Sequence, residues 1–134
     1  IKVIGRKDKL SQKLIKKIDE VEEKTKYNKG MVLCIAFNYG SKVEIIDACN
    51  SITGSKKAIT HEALENHFYD ATMPPVDLLI RTSGEMRLSN FLLWQCAYAE
   101  LYFTKTLWPD FSPKKYDKAL KVYSKRNRRF GGLK

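Results

Sequence analysis

The stretch DLLIRTSGEMRLSNFLLWQ, residues 77–95, sets Arg81 and Arg87 on either side of a glycine turn, with Ser89 just beyond. Each guanidinium offers a rigid fork of N–H donors that matches the oxygens of a phosphate or carboxylate in pairs. A lone carboxylate has too few oxygens to engage two forks and a hydroxyl, whereas a diphosphate has enough for all three. Hydrogen bonds to charged groups contribute roughly 1.5 to 3 kcal/mol each, so one arginine is worth about tenfold or more in affinity. The competing assignment is structural, with Arg81 held by Asp77 or Glu85 as an ordinary ion pair.

Two cations act on one ligand only if the backbone presents them together. VDLLIRT reads as a buried strand with Arg81 at its carboxyl end, the end beyond which open α/β sheets bind ligands. The following loop leads to Ser89 and Asn90, either of which can cap a helix predicted over residues 89–99. The free N–H groups at such a helix start attract anions. FLLWQCAYA is apolar nearly all round, which predicts a buried helix with a rigid N-terminus.

The remaining elements follow from the hydrophobic pattern. IKVIG reads as a strand, and Leu14, Ile15, Ile18 and Val21 fall at helical spacing within residues 11–27. MVLCIAFNYG is a continuous apolar run of strand length, after which Ser41 and Glu44 predict a capping box for a helix carrying Val43, Ile45, Ile46 and Ala48. A helix over residues 60–69 must stop before Pro74 and Pro75, and ELYFT supplies a fourth strand. Beyond LWPDF, Ser112 and Pro113 open a last helix predicted to reach about residue 129, stopped by Gly131 and Gly132. Strands alternating with helices, and apolar on both faces, predict an α/β fold: a mostly parallel sheet flanked by helices. Four strands are few for this class, and the first has no helix before it. The 134 residues are therefore expected to form part of one domain of a longer chain.

Charge is spread unevenly over the net +10. Residues 1–30 carry ten Lys and Arg against five acids, residues 31–111 six against nine, and residues 112–134 nine against one. A basic tail attracts nucleic acid, anionic lipid or a phosphorylated substrate, and charge alone does not choose among them. Cys34, Cys49 and Cys96 sit in apolar segments without short pair spacing, which points to reduced core thiols and a cytosolic setting. No uncharged run reaches the roughly 18 residues of a spanning helix, although contact with a membrane surface stays open.

Glu100 follows the apolar run and needs a cation, either an arginine or a metal. Diphosphate chemistry commonly employs Mg²⁺, bound through one or two carboxylates and phosphate oxygens, which makes Glu100 and Asp110 candidate ligands. HEALENH is not a zinc-protease helix, because His61 and His67 are six apart rather than four. Gly40 and Gly84 are isolated, so no nucleotide-binding glycine motif is present.

With these motifs in view, DLLIRTSGEMRLSNFLLWQCAYAELYFTKTLWPDF resembles the most characteristic segment of the cis-prenyltransferases, the undecaprenyl and dehydrodolichyl diphosphate synthases. The similarity runs back through IAFNYGSKVEIIDA and IKVIG and forward to RRFGG, covering essentially the whole chain. The resemblance implies that Arg81, Arg87 and Ser89 hold the diphosphate of isopentenyl diphosphate and that Glu100 takes part in Mg²⁺ binding near a dimer interface. It also implies that Arg129 and Gly131, within an Arg-x-Gly element, reach the neighbouring subunit's site. The implied reaction is repeated condensation of isopentenyl diphosphate onto a farnesyl-type allylic diphosphate, with cis geometry, giving a long-chain polyprenyl diphosphate of the dolichol or undecaprenol type. The implied protein is a homodimer, cytoplasmic or peripheral at a membrane, which in a eukaryote would be the endoplasmic reticulum.

One departure stands out. The family's N-terminal phosphate loop, an Asp followed by Gly-Asn-Gly-Arg, occurs nowhere in the 134 residues. No catalytic residue is therefore assigned within the chain: the catalytic Asp is expected outside it, and the chain by itself is expected to be inactive. A non-catalytic partner subunit of a heteromeric cis-prenyltransferase is the alternative, and retention of Arg81, Arg87 and Ser89 argues against it. A nucleic-acid module built on the basic helix, with Tyr116, Tyr123 and Phe130 for stacking, is the weakest reading, and no nucleic-acid partner is expected.

Overall fold

The computed structural model describes residues 1–52 and 58–128. It divides into two compact units, Ile1–Met73 and Pro74–Lys134.

In the first unit, β1 (Lys2–Ile4) pairs in parallel with β2 (Cys34–Ala36), Lys2 opposite Cys34 and Ile4 opposite Ala36. Backbone bonds from Lys2 N–H to the Leu33 carbonyl and from Phe37 N–H to the Ile4 carbonyl extend the ladder at both ends. The parallel crossover is made by α1 (Gln12–Thr25), whose N-cap Ser11 accepts from the Leu14 N–H. Helix α1 packs on β1 through a stripe in which Ile18 is buried and Leu14, Ile15 and Val21 are half-buried, as the helical spacing predicts. Glu22 of α1 accepts the Val3 N–H at 2.7 Å, satisfying a strand donor that the ladder leaves unpaired. Helix α2 (Ser41–Ile52) buries Ala48 against α3 (His61–Glu65), where Leu64 is buried.

Two contacts lock the loops at the carboxyl ends of β1 and β2. Gly5 has φ +120°, and a Cβ there would lie 2.1 Å from the Phe37 carbonyl oxygen. Asn38, itself left-handed at φ +50°, donates from its side chain to the Arg6 carbonyl at 2.8 Å. A polar network then ties these loops to α2 and to the segment after α3. Arg6 donates to both oxygens of Asp47 while the Tyr69 hydroxyl donates to Oδ2 of the same carboxylate. The buried Glu44 accepts from the Tyr39 hydroxyl and the Tyr69 N–H, so its carboxylate is compensated. Helix α2 starts at Ser41 itself, with the Val43 and Glu44 N–H groups bonded to the Gly40 carbonyl. Gly40 rather than Ser41 therefore holds the cap position expected of a capping box, and Glu44 serves as a buried anchor.

In the second unit, β3 (Leu78–Arg81) pairs in parallel with β4 (Glu100–Phe103), Leu78 opposite Glu100 and Arg81 opposite Phe103. A 3-10 turn (Trp108–Asp110) stacks Trp108 on Phe111 at 6.4 Å and leads into α4 (Pro113–Tyr123). Ser112 is the N-cap and Pro113 the first helical residue, as expected, although the Ser112 side chain makes no capping bond. Buried Leu79, Leu92, Cys96 and Ala119 form the core of this unit.

All four expected strands form, and both ladders are parallel. For these strands and for α3 and α4 the differences lie in lengths and covers. The run MVLCIAFNYG was expected to be buried, yet β2 keeps only three residues, and Met31, Val32, Leu33, Ile35 and Phe37 are exposed. Such a run belongs to a strand sandwiched on both faces, and here the described residues leave much of it exposed. Helix α3 stops at Glu65 rather than near residue 69, because turns take over and bring Tyr69 to Asp47 and Glu44. Helix α4 ends at Tyr123 rather than near residue 129, because Arg126 turns back to Glu100 and the Leu101 carbonyl. The proposed stop at Gly131 and Gly132 lies outside the described residues.

Two outcomes follow from the first unit. Gly5→Ala combines a forbidden contact with a left-handed backbone and is expected to cost at least ~2 kcal/mol in denaturant unfolding. Bonds from Arg6 and Tyr69 hold the Asp47 carboxyl down from 3.8 to about 2. A carboxylate depressed in the folded state adds stability above its unfolded pKa and loses it as pH falls through the folded one. The melting temperature should therefore decline between about pH 4 and pH 2, and Asp47→Asn should lower it at pH 6 and flatten that decline.

Candidate functional site

The loop after β3 is fastened to the continuation of β4 by three backbone bonds. Thr104 N–H donates to the Arg81 carbonyl at 2.9 Å, Gly84 N–H to the Thr104 carbonyl at 2.8 Å, and Ser83 N–H to the Thr106 carbonyl at 2.8 Å. Ser83 and Gly84 take consecutive left-handed conformations at φ +67° and +73°, which reverse the chain over the strand end. A Cβ on Gly84 would meet only ordinary contacts with Lys105 at 3.7 and 3.9 Å, so glycine here serves the backbone angle rather than space. The Ser83 and Gly84 N–H groups are already bonded to carbonyls, so these two are not available to an anion at this edge.

Arg81 lies at the carboxyl end of β3, half-buried, and its guanidinium makes no hydrogen bond or ion pair among the described residues. The acids weighed as its structural partners are engaged elsewhere: Asp77 pairs with Arg128 at 2.6 Å and Glu85 pairs with Arg87. Arg87 is therefore partly neutralised, yet its side chain remains 64% exposed and open to a ligand. Ser89 follows on the same loop and is exposed. Arg81 thus closes β3, and Arg87 and Ser89 lie on the loop that follows it.

The helix expected over residues 89–99 does not form, and the segment is a chain of turns. Ser89, Asn90 and Leu92 have φ of +49°, +63° and +45°, which a right-handed helix cannot contain. Its backbone bonds include the short-range Phe91 N–H to the Leu88 carbonyl, Cys96 to Leu92, Ala97 to Trp94 and Ala99 to Cys96, and one from Val76 N–H to the Gln95 carbonyl at 2.8 Å that ties the segment to the chain before β3. A regular helix N-terminus is consequently not part of the anion seat. The burial expected all round this segment is also partial, since Leu92, Gln95 and Cys96 are buried whereas Phe91 and Tyr98 are exposed.

Glu100 sits at the opposite end of the ladder from Arg81. It opens β4 opposite Leu78, three rungs before the rung of Arg81 and Phe103. Side chains alternate along strands, so an odd separation also puts the two on opposite faces. Its carboxylate receives Arg126 at 2.7 Å, and the same Arg126 nitrogen donates to the Leu101 carbonyl at 2.9 Å. Glu100 has found its cation in an arginine. Among the described residues, no group of three His, Cys, Asp or Glu side chains could hold a metal ion. Within a single copy, then, Glu100 and Arg81 do not fit one Mg²⁺–diphosphate site, and Asp110 lies apart on the 3-10 turn. Arg129 and Gly131 lie outside the described residues.

One residue escaped the sequence reading. Lys105 follows β4 between the two threonines that pair with the loop, and its stem rests beside Gly84. The available signal was a cation directly after a second strand end, which gains meaning only once β3 and β4 are known to be neighbours.

The family described as putative undecaprenyl diphosphate synthase matches residues 1–131. An isoprenyl transferase of Thermotoga maritima is 54% identical over 99% of this chain, and one of Fusobacterium nucleatum is 55% identical over 98%. The chain spans 59% and 57% of the length of these two relatives. Among solved structures, lavandulyl diphosphate synthase of Lavandula x intermedia, in complex with dimethylallyl diphosphate, is similar over 98% of this chain and 59% of its own. Its TM-score is 0.92 at 36% identity. A probable undecaprenyl diphosphate synthase of Campylobacter jejuni has a TM-score of 0.89 at 37% identity, over 98% of this chain and 62% of its own. An α/β unit with a cationic loop at the carboxyl edge of a parallel ladder, matched along nearly its whole length by these proteins, belongs to the undecaprenyl diphosphate synthase family of prenyltransferases.

Proposed function

We propose that this chain binds isopentenyl diphosphate within a cis-prenyltransferase that elongates an allylic diphosphate. Arg81 carries the reading: a guanidinium at the carboxyl edge of a parallel ladder, uncommitted among the described residues, suits an anionic ligand. Arg87 and Ser89 add a second fork and a hydroxyl from the same loop.

In the proposed reaction the allylic C–O bond breaks and diphosphate leaves with the electron pair. The isopentenyl double bond then supplies the electrons of the new C–C bond, and loss of a proton restores the alkene. The contribution of these residues is to bind the isopentenyl diphosphate head group and orient its alkene, catalysis by positioning and charge rather than by a covalent nucleophile. Mg²⁺ belongs to this reading as the cofactor of the assembled enzyme, where it would offset diphosphate charge. Glu100 remains its proposed carboxylate only where Arg126 gives it up, and no step is derived through the metal.

The homodimer, cross-subunit contact by Arg129 and Gly131, and a cytoplasmic or membrane-peripheral location are parts of the same proposal. Among the described residues no helix is long and apolar enough to cross a membrane. The partner-subunit alternative gains no support from relatives named isoprenyl transferase.

Titration of the purified chain with isopentenyl diphosphate tests the assignment. Arg81→Ala is expected to weaken binding by about tenfold or more. Arg87→Ala should weaken it less, because Arg87 must first leave Glu85. An unchanged dissociation constant in Arg81→Ala would remove the reading.

A further inference from the structure

Lys105 occupies a position that the function so far leaves unused. It lies one residue past Thr104, at the carboxyl end of β4, as Arg81 lies at the carboxyl end of β3. The bonds Gly84 to Thr104 and Ser83 to Thr106 flank it, so its backbone is fixed directly beside the loop that carries Arg87 and Ser89. Its Cγ comes within 3.7 Å of the Cβ position at Gly84, which places the lysine stem in ordinary contact range of the turn. Lys105 is exposed, and its ammonium makes no ion pair or hydrogen bond among the described residues. Arg87, by contrast, is partly neutralised by Glu85.

We propose that Lys105 is a third cationic contact for the diphosphate, supplied by the strand next to the one that carries Arg81. This rests on the diphosphate reading above and adds a residue from a separate strand. An ammonium on a flexible four-carbon stem acts as a point charge that adjusts to its ligand, whereas the arginines impose a fixed fork. The inferred division of labour gives the arginines orientation and Lys105 neutralisation of the second phosphoryl group. Lys105 should then discriminate between a diphosphate and a single phosphate, since only the longer anion needs cations from both strands.

Calorimetric titration of the full chain with inorganic pyrophosphate, and separately with inorganic phosphate, tests this. Lys105→Gln is expected to weaken pyrophosphate binding about three- to tenfold with less effect on phosphate, and Lys105→Arg to stay within about twofold of wild type. Melting temperatures measured alongside separate lost binding from lost folding. If Lys105→Gln binds pyrophosphate as wild type does while Arg81→Ala does not, Lys105 is no contact and the diphosphate reading survives. Equal losses for both anions would overturn the division of labour. If the wild-type chain binds no pyrophosphate, the seat itself is wrong and this inference falls with it.

Discussion

The pairing of β3 with β4, carried past the strand ends by the bonds from Thr104, Gly84 and Ser83, is the constraint on which the candidate site rests. A loop of seven residues, 82–88, between a strand and a run of turns would ordinarily be mobile. Here Ser83 and Gly84 are stitched to the neighbouring chain after β4, and as two successive left-handed residues they fix the direction in which the loop leaves. Arg81 inherits the rigidity of β3, and the start of the Arg87 loop inherits that of β4. Holding the donors in place before a ligand arrives lowers the entropy lost on binding, so modest contacts give useful affinity.

The first unit solves a comparable problem with different chemistry. Its loops at the carboxyl ends of β1 and β2 approach so closely that only glycine fits at position 5, and Asn38 bonds across the gap. Polar side chains complete the joint: Asp47 gathers Arg6 and Tyr69, and Glu44 gathers Tyr39 and Tyr69. Burial and the bond to Asp47 push the Tyr69 hydroxyl up to about 12, keeping it a proton donor through the ordinary pH range. The joint therefore weakens only in acid, where its carboxylate gains a proton.

Strand positions were legible because apolar runs of strand length bounded by glycine or proline have few other solutions, as VDLLIRT and IKVIG illustrate. The place of Arg81 at a strand end followed directly. The helix over residues 89–99 misled because FLLWQCAYA has strong helical character, and the interruption is made by left-handed Ser89, Asn90 and Leu92 rather than by glycine or proline. No sequence rule announces such a choice, since each of those residues costs about 1 to 2 kcal/mol there and is held by its surroundings. The partners of Glu100 and Lys105 were illegible for another reason. Arg126 is 26 positions from Glu100, and Lys105 meets Gly84 only through strand pairing. Contacts of that range have no local signature.

The bare run from Met31 to Phe37 has a consequence for the chain in solution. Seven consecutive uncharged residues of high β propensity, five of them large and exposed, form the kind of window that seeds self-association. A net charge of +10 opposes non-specific association of this kind through mutual repulsion. The reach of that repulsion shrinks to about 8 Å at physiological ionic strength and about 3 Å at 1 M salt. Colloidal behaviour of this polypeptide is thus a contest between a sticky ribbon and a cationic halo, and added electrolyte tilts it toward the ribbon.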